Sequence, residues 1–592
     1  MRQYPPGQVR LLPTLGRIDY ADQVSPFAHR VSLVRGYLMS LAPENLLRPF
    51  RFEAGIAAPS AGAGHGGWEA LESQLRGHFL GHWLSAASRL GDIELRARAT
   101  TIVEGLAECQ RENGGEWVFS IPEKYLHRIA QDKPVWAPHY TIHKTLMGLL
   151  DAHRYLGSDL ALDLVTNAAY WFLRWTDGRS MDDILDHETG GMLEAWADLY
   201  AVTGDPRHLE LAHRYVRHRL FGRLLAREDP LTNRHANTTI PEVLGAARMH
   251  EVTGQESWRA ITEAYWDCAV TRRGYFATGG QGSYEMWTPP QEFAARLGAR
   301  TQEHCTVYNM MRLADVLLRW TGEPAYADYW ERNLYNGMLA QQHPGTGMVT
   351  YYLPLCPGGH KTWATATDSF WCCVGTMVQA HTQHNESIYF KTADGVSIAQ
   401  YIPSVLDADG VRIEQRPDRE VGTHIAVTSD TGAIRRPGRR VTELTVAAPD
   451  ELTLRLRIPW WVRGKASIQI DGGSPILAAP GEFAEIRRRW TGEVIRLEFP
   501  SGLTAERLPD RPDTVAFLDG PVVLAGLCAA EQPLTGDVTR PEELLWPDDE
   551  RDPFRWNGGY RVRGQAGGLR FMPLHEVTDE QYSVYFPVVN QT

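Results

Sequence analysis

The chain is poor in cysteine, with 7 in 592 residues. An odd, scattered set in a chain this long excludes a disulfide framework and turns attention to metal binding or catalysis. No uncharged apolar run reaches the length that spans a bilayer. Met1 to Gly7 lack the apolar core and small-residue cleavage site of a secretory signal, so the expected location is the cytoplasm. A basic excess is missing too: 60 Lys and Arg stand against 72 Asp and Glu, a formal net charge of −12. That excludes non-specific binding to nucleic acid or to an anionic membrane. No segment is of low complexity.

What is present is ordinary globular composition, 43% hydrophobic and 22% charged, at a length that calls for two to four domains. Helical apolar patterns end at Gly91, Gly157, Gly204, Gly254 and Gly322, and each is followed by another helical pattern. A glycine in that place is a C-cap, and the polar residue after it opens the next helix. With a further helical stretch around Ala28 to Leu41, six hairpins are expected, and six closing on themselves form an (α/α)6 barrel. After about residue 390 the period changes to strict alternation, as in Glu451-Leu-Thr-Leu-Arg-Leu-Arg-Ile, with Asp-Gly and Pro punctuation. That predicts antiparallel β-sandwiches. The expected class is therefore multidomain α and β. A 1–20 segment, free to pack on the C-terminal sandwich, precedes a 21–390 barrel. A 391–505 sandwich and a 506–592 second, small or incomplete one follow, with the tail after Pro533 irregular.

Cys372 and Cys373 are adjacent, in Ser369-Phe-Trp-Cys-Cys-Val-Gly-Thr, and read as lying beside a Gly-Thr turn. Neighbouring cysteines rarely bridge to each other. Glu303-His304-Cys305 lies upstream. Three thiols and a carboxylate make a full tetrahedral set for zinc, with His304 and Cys356 as spare ligands. Cys109, Cys268 and Cys528 sit in apolar surroundings and read as packing residues. Glu285 lies in a loop rich in Gly and Pro, between Tyr284 and Met286-Trp287, where desolvation would raise its pKa and suit it to general-acid work. His78, His143, Glu194, His235 and Cys305 each sit near the start of the first helix of a hairpin. Parallel first helices would bring them to one rim, with helix N-termini facing inward. Trp68, Trp83, Tyr140, Trp287, Tyr352 and Trp371 add aromatic faces that suit sugar rings or plain packing.

These fragments resemble glycoside hydrolase families 127 and 146, zinc-dependent β-L-arabinofuranosidases. The resemblance rests on Gly67-Trp68-Glu69, Gly77-His78, Gly81-His82-Trp83, Tyr140-Thr-Ile-His143-Lys144, His235-Ala-Asn-Thr238, Gly279-Gly280 through Glu285, Glu303-His304-Cys305 and, most specifically, Phe370-Trp-Cys-Cys373. It covers the helical part and implies four zinc ligands: Glu303, Cys305, Cys372 and Cys373. It further implies Cys372 as nucleophile and Glu285 as general acid/base, with His143 and His235 at the sugar. Candidate sugar contacts are thus His78, His143, Glu194, His235, Trp287 and Tyr352. The chain departs from the family pattern at Met286 and at Met192-Leu193-Glu194.

The expected activity is a retaining exo-glycosidase acting on a β-L-arabinofuranoside or a related pentofuranoside, with Zn2+ as cofactor and a small oligosaccharide or glycoside as partner. Rival readings are a zinc-water hydrolase acting on another sugar linkage and a carbohydrate-binding protein with structural zinc. Oligomeric state is left open.

Overall fold

The computed structural model describes residues 8–15, 25–57, 64–188, 190–417, 427–428, 434–435, 438–548, 558–563, 565 and 568–589. Six helices form its heart: α1 (His78–Leu90), α2 (Pro138–Leu156), α3 (Met192–Thr203), α4 (Ala236–Thr253), α5 (His304–Thr321) and α6 (Cys372–His381). Each packs on the next in chain order, and α6 packs back on α1. Glycines 91, 157, 204, 254 and 322 end the first five, all with φ between +61° and +72°. Only glycine takes that left-handed turn without strain. After each cap the chain folds back as an outer helix: Ile93–Glu112, Asp159–Trp175, Pro206–Arg214, Glu256–Trp266 and Pro324–Asn333. The sixth outer helix, Pro26–Ser40, comes from the front of the chain and packs on α6.

The Gly-Thr pair after the cysteines is not a turn. Gly375 and Thr376 lie inside α6. A Cβ at Gly375 would sit 2.2 Å from the His82 ring of α1, so this glycine is there for close helix approach.

A belt of alternating charge links α1 to α5, with carboxylate–guanidinium contacts throughout. Asp151 pairs with Arg89 of α1 at 3.4 Å and with Arg154 at 3.1 Å, and Arg154 reaches Asp198 of α3 at 3.1 Å. Asp198 meets Arg248 of α4 at 2.6 Å, Arg248 meets Glu251 at 2.8 Å, and Glu251 meets Arg319 of α5 at 2.8 Å. Arg319 reaches Asp315 at 3.3 Å. Arg10, from the N-terminal strand, then closes the circle. Its Nε donates to Asp315 at 2.9 Å, its Nη1 lies 3.6 Å from Glu386, and Glu386 pairs with Arg89. Most of these charges are withdrawn from water, Arg10 and Arg154 less so, and such charges hold only when each finds a partner; here each has two.

Among the described residues two large sheets follow the helices, with a separate two-stranded pair of Val427–Thr428 and Ile434–Arg435. In the first, of ten strands, Arg439–Ile458 and Glu482–Pro500 form the long central pair. Val9–Leu11 pairs with Tyr389–Lys391 at one edge, and Thr14–Leu15 with Ser404–Ala408. The second sheet has nine strands and runs from Leu503 to Val589. It includes Leu534–Thr535, Leu545–Pro547, Tyr560–Val562 and Arg570–Pro573, so the stretch after Pro533 is not irregular. Strands of two to four residues are too short to show a period-two pattern, which is why composition alone hid them. This sheet grips the helical part. Arg332 donates to Glu506 at 2.8 and 2.9 Å, and buried Lys361 donates to the Leu574 and Val577 carbonyls at 2.9 and 2.7 Å.

Candidate active site

Two helix N-termini converge on the thiols. Cys305 is in the first turn of α5, whose N-cap is Glu303, and Cys372 and Cys373 begin α6. Neither N-cap side chain accepts from a backbone N–H of its own helix, although Glu303 accepts from the Thr306 hydroxyl at 2.8 Å, so the positive end of each dipole faces the cluster and favours anions there. Cys305 Sγ lies 3.4 Å from Cys373 Sγ, which lies 3.9 Å from Cys372 Sγ. Cys372 Sγ is 3.9 Å from Glu303 Oε1. All four donors lie within 4.8 Å of one another and all four residues are buried. Thiolates on a tetrahedral zinc with bonds of about 2.3 Å stand about 3.8 Å apart, so the spacing fits such an ion.

The electrostatics are compatible with a cation. Hydrogen bonds from Cys305 and Cys373 hold the Cys372 thiol well below the ordinary range, while burial pushes Cys305 and Cys373 well above it. Burial, then the Cys372 charge, push the Glu303 carboxyl up to about 8. Four donors competing for one negative charge make a poor resting state. A divalent cation would let all of them ionise.

Short backbone bridges assemble the rest of the site. Met286 pairs with His235 and Ser283, Ser283 with Thr301, and Glu303 with Tyr352. Tyr284 and Glu285 form the tip of a two-residue hairpin, with Ser283 and Met286 exchanging two hydrogen bonds of 3.0 Å. Both tip residues are left-handed, at φ +53° and +66°. Asn-Gly is the cheap occupant of such a turn, so Tyr-Glu carries strain, a frequent mark of a functional site. The turn aims the Glu285 carboxylate at Tyr351, whose hydroxyl donates to it. The same hydroxyl lies 3.4 Å from Cys372 Sγ. One phenolic oxygen therefore stands between thiol and carboxylate. Tyr351 is the residue that sequence reasoning missed; its neighbour Tyr352 was the expected contact, and the two rings pack 4.6 Å apart.

His235 is the N-cap residue of α4, and its Nε2 lies 3.4 Å from Glu285 Oε2. This pairing overturns the expected rise in the Glu285 pKa. Burial does push the carboxyl up, but hydrogen bonds from His235 and Tyr351 outweigh it and leave it below the ordinary range. Burial lowers His235, but Glu285 and the charge on Glu303 raise it above its ordinary value. A proton held by the pair therefore favours the imidazole over the carboxylate.

The other expected sugar contacts divide. His143 and Glu194 line an internal cavity together with Cys305, Lys144, Asn237 and Arg312, and Glu194 pairs with Arg312 at 2.5 Å. The cavity extends from Cys305 to the ion-pair belt at Arg89, Asp151 and Arg154. His78 and Trp287 are 0% exposed and face no open space. The Trp287 indole donates to Thr239 in the core, at 3.2 Å. His78 Nδ1 is 2.7 Å from Glu69, whose carboxylate also accepts from Gly77 N–H at 2.7 Å and Phe79 N–H at 2.9 Å. The Gly67-Trp68-Glu69 and Gly77-His78 fragments are therefore the cap of α1. Cys356 and His304 stand outside the four-donor group.

The structure thus brings together a buried four-donor cluster, where two inner-helix N-termini meet, and a carboxylate one hydroxyl away. Residues 22–386 match the GH127 β-L-arabinofuranosidase catalytic domain and 395–501 the GH127 middle domain, so the chain belongs to that family. The non-reducing end β-L-arabinofuranosidase of Bifidobacterium longum subsp. longum is 21% identical over 518 residues, which cover 76% of this chain and 73% of that protein. Two solved structures share the fold. A GH127 β-L-arabinofuranosidase from Geobacillus stearothermophilus T6 superposes with a TM-score of 0.70 at 19% identity, covering 95% of this chain and 99% of its own. A second GH127 β-arabinofuranosidase reaches a TM-score of 0.75 at 16% identity, covering 100% and 99%. No described helix is long and apolar enough to cross a membrane.

Proposed function

We propose that the protein is a retaining exo-glycosidase that removes a β-L-arabinofuranosyl or related pentofuranosyl group, from a site at the rim of an (α/α)6 barrel. The closed succession α1 to α6 supports the barrel. The observation that carries the mechanism is the Tyr351 hydroxyl lying between Cys372 and Glu285. A single intervening atom implies the short separation of nucleophile and acid/base that retention needs.

Glu303, Cys305, Cys372 and Cys373 are the residues that would hold zinc, which supplies the positive charge that keeps the thiols ionised. The Cys372 thiolate attacks the anomeric carbon. A C–S bond forms, the glycosidic C–O bond breaks, and Glu285 delivers to the leaving oxygen the proton stored with His235. Glu285, now without that proton, takes one from water. The hydroxide displaces Cys372, the C–S bond breaks, and the sugar leaves with its configuration retained. Tyr351 positions both groups. His143 and Glu194, on the cavity side of the cluster, are the proposed sugar contacts.

Zinc analysis of the purified enzyme should give one ion per chain, and chelation should abolish cleavage of nitrophenyl β-L-arabinofuranoside. Cys372→Ser should remove turnover, by about 10³-fold or more, and leave the thermal unfolding cooperative. Substantial cleavage by a folded Cys372→Ser enzyme would overturn the assignment.

A further inference from the structure

The tip of the Ser283–Met286 hairpin carries more than the proposed acid. Tyr284 is 60% exposed, the most solvent-open aromatic ring at this mouth. It packs no core, and its left-handed backbone would be relieved by Asn or Gly. Nothing in the fold requires an aromatic there. Its backbone is nevertheless anchored, and a guanidinium lies over its ring. The Tyr284 N–H donates to the Arg300 carbonyl at 2.8 Å, and the Arg300 guanidinium lies 5.4 Å from the Tyr284 ring centroid. Among the described residues no carboxylate pairs with Arg300, and the residue is exposed. Its donors are therefore free to serve a ligand. Met286, 39% exposed, flanks the tip on the other side.

Position decides what that ligand is. An acid/base must reach the glycosidic oxygen, so the leaving group departs on the side of Glu285. Tyr284 is its chain neighbour on the same turn, facing solvent. An exposed aromatic face takes the C–H face of a sugar ring, and an unpaired guanidinium takes hydroxyl or carboxylate oxygens at the ring's edge. We propose that Tyr284 and Arg300 form the leaving-group subsite and select substrates in which the departing group is itself a sugar. This rests on the glycosidase reading above and names the side of the bond that the reading leaves open.

The test compares two substrates with the same β-L-arabinofuranosyl group. One is the methyl glycoside, and the other is a disaccharide whose second ring is the leaving group. The parent enzyme should prefer the disaccharide. Tyr284→Ala should lower kcat/KM on the disaccharide by about tenfold, mostly through KM, and leave the methyl glycoside within about twofold. Tyr284→Phe, which keeps the ring, should behave as the parent. Arg300→Ala should act in the same direction as Tyr284→Ala, and more strongly when the second ring bears a carboxylate. Equal losses on both substrates, or no loss on either, would overturn the subsite and leave the glycosidase reading standing. Failure of the parent enzyme to cleave either compound would overturn both.

Discussion

Cys372 and Glu285 face each other across a single phenolic oxygen, and their protonation is set by neighbours rather than by burial alone. Burial raises carboxyl and thiol pKa values. At Glu285 it loses to His235 and Tyr351, and at Cys372 it loses to the hydrogen bonds of Cys305 and Cys373. In the proposed mechanism the proton needed by the leaving group comes from His235, whose value stands above the ordinary one of 6.5. Activity that needs this proton is present below the His235 value and lost as pH rises through it. In kcat/KM profiles, the alkaline limb of the parent should lie above pH 6.5. His235→Asn should move that limb, and an unmoved limb would remove His235 from the proton path. The three clustered cysteines, Glu303 and Glu285 were legible because their residue types and fragments are distinctive. Tyr351 was not, because a tyrosine in an apolar loop looks like packing until the chain folds. Trp287 misled for the converse reason: an aromatic beside Glu285 in sequence points to the opposite side of the turn and is buried.

At the scale of elements, the hairpins were readable because each inner helix from α1 to α5 ends on a glycine that cannot be mistaken for a mid-helix residue. α6 was not. It is 10 residues long and begins with two cysteines, and its Gly375-Thr376 imitates a turn. Its glycine answers to a contact 293 positions away in the chain, His82, which no local pattern reveals. His82 is 1% exposed and bonded to Gln379 at 2.5 Å, so it cannot step aside. Gly375→Ala should therefore cost about 1–3 kcal/mol in unfolding experiments and reduce zinc retention, since Cys372 and Cys373 begin the same helix. An unchanged unfolding midpoint would mean that α6 has slack against α1.

Across the whole molecule, the N-terminal strand and the C-terminal sheet both act on the helical domain from outside. The sheet anchors the 354–361 segment just beyond Tyr351, through Lys361 and through the Tyr582 hydroxyl, which donates to the Pro354 carbonyl at 2.8 Å. Arg10 clasps the ion-pair belt. Arg10→Ala should lower stability by about 2 kcal/mol, less than a fully buried break because Arg10 is partly exposed and Asp315 keeps Arg319. No change in denaturant midpoint would show the clasp to be idle. The belt also sets an acid limit. Burial pushes Asp198 up, but Arg154 and Arg248 outweigh it and hold the carboxyl at about 2. Its contribution is complete above the unfolded value of about 3.9 and is lost as pH falls through about 2. The alternating strands of the first sheet were legible in the sequence. The belt was not, since its ten charges lie on six elements and one turn and look like ordinary surface residues in any one of them.

The central claim is that a cysteine thiolate carries the sugar. Zinc-loaded enzyme quenched in acid during turnover of nitrophenyl β-L-arabinofuranoside, with Glu285→Gln used to slow release of the sugar, should gain one pentosyl mass. Peptide mass spectrometry should place that mass on Cys372, and early product should keep the substrate's anomeric configuration by NMR. An adduct on another residue, or inverted product with no adduct on Cys372, would contradict the account.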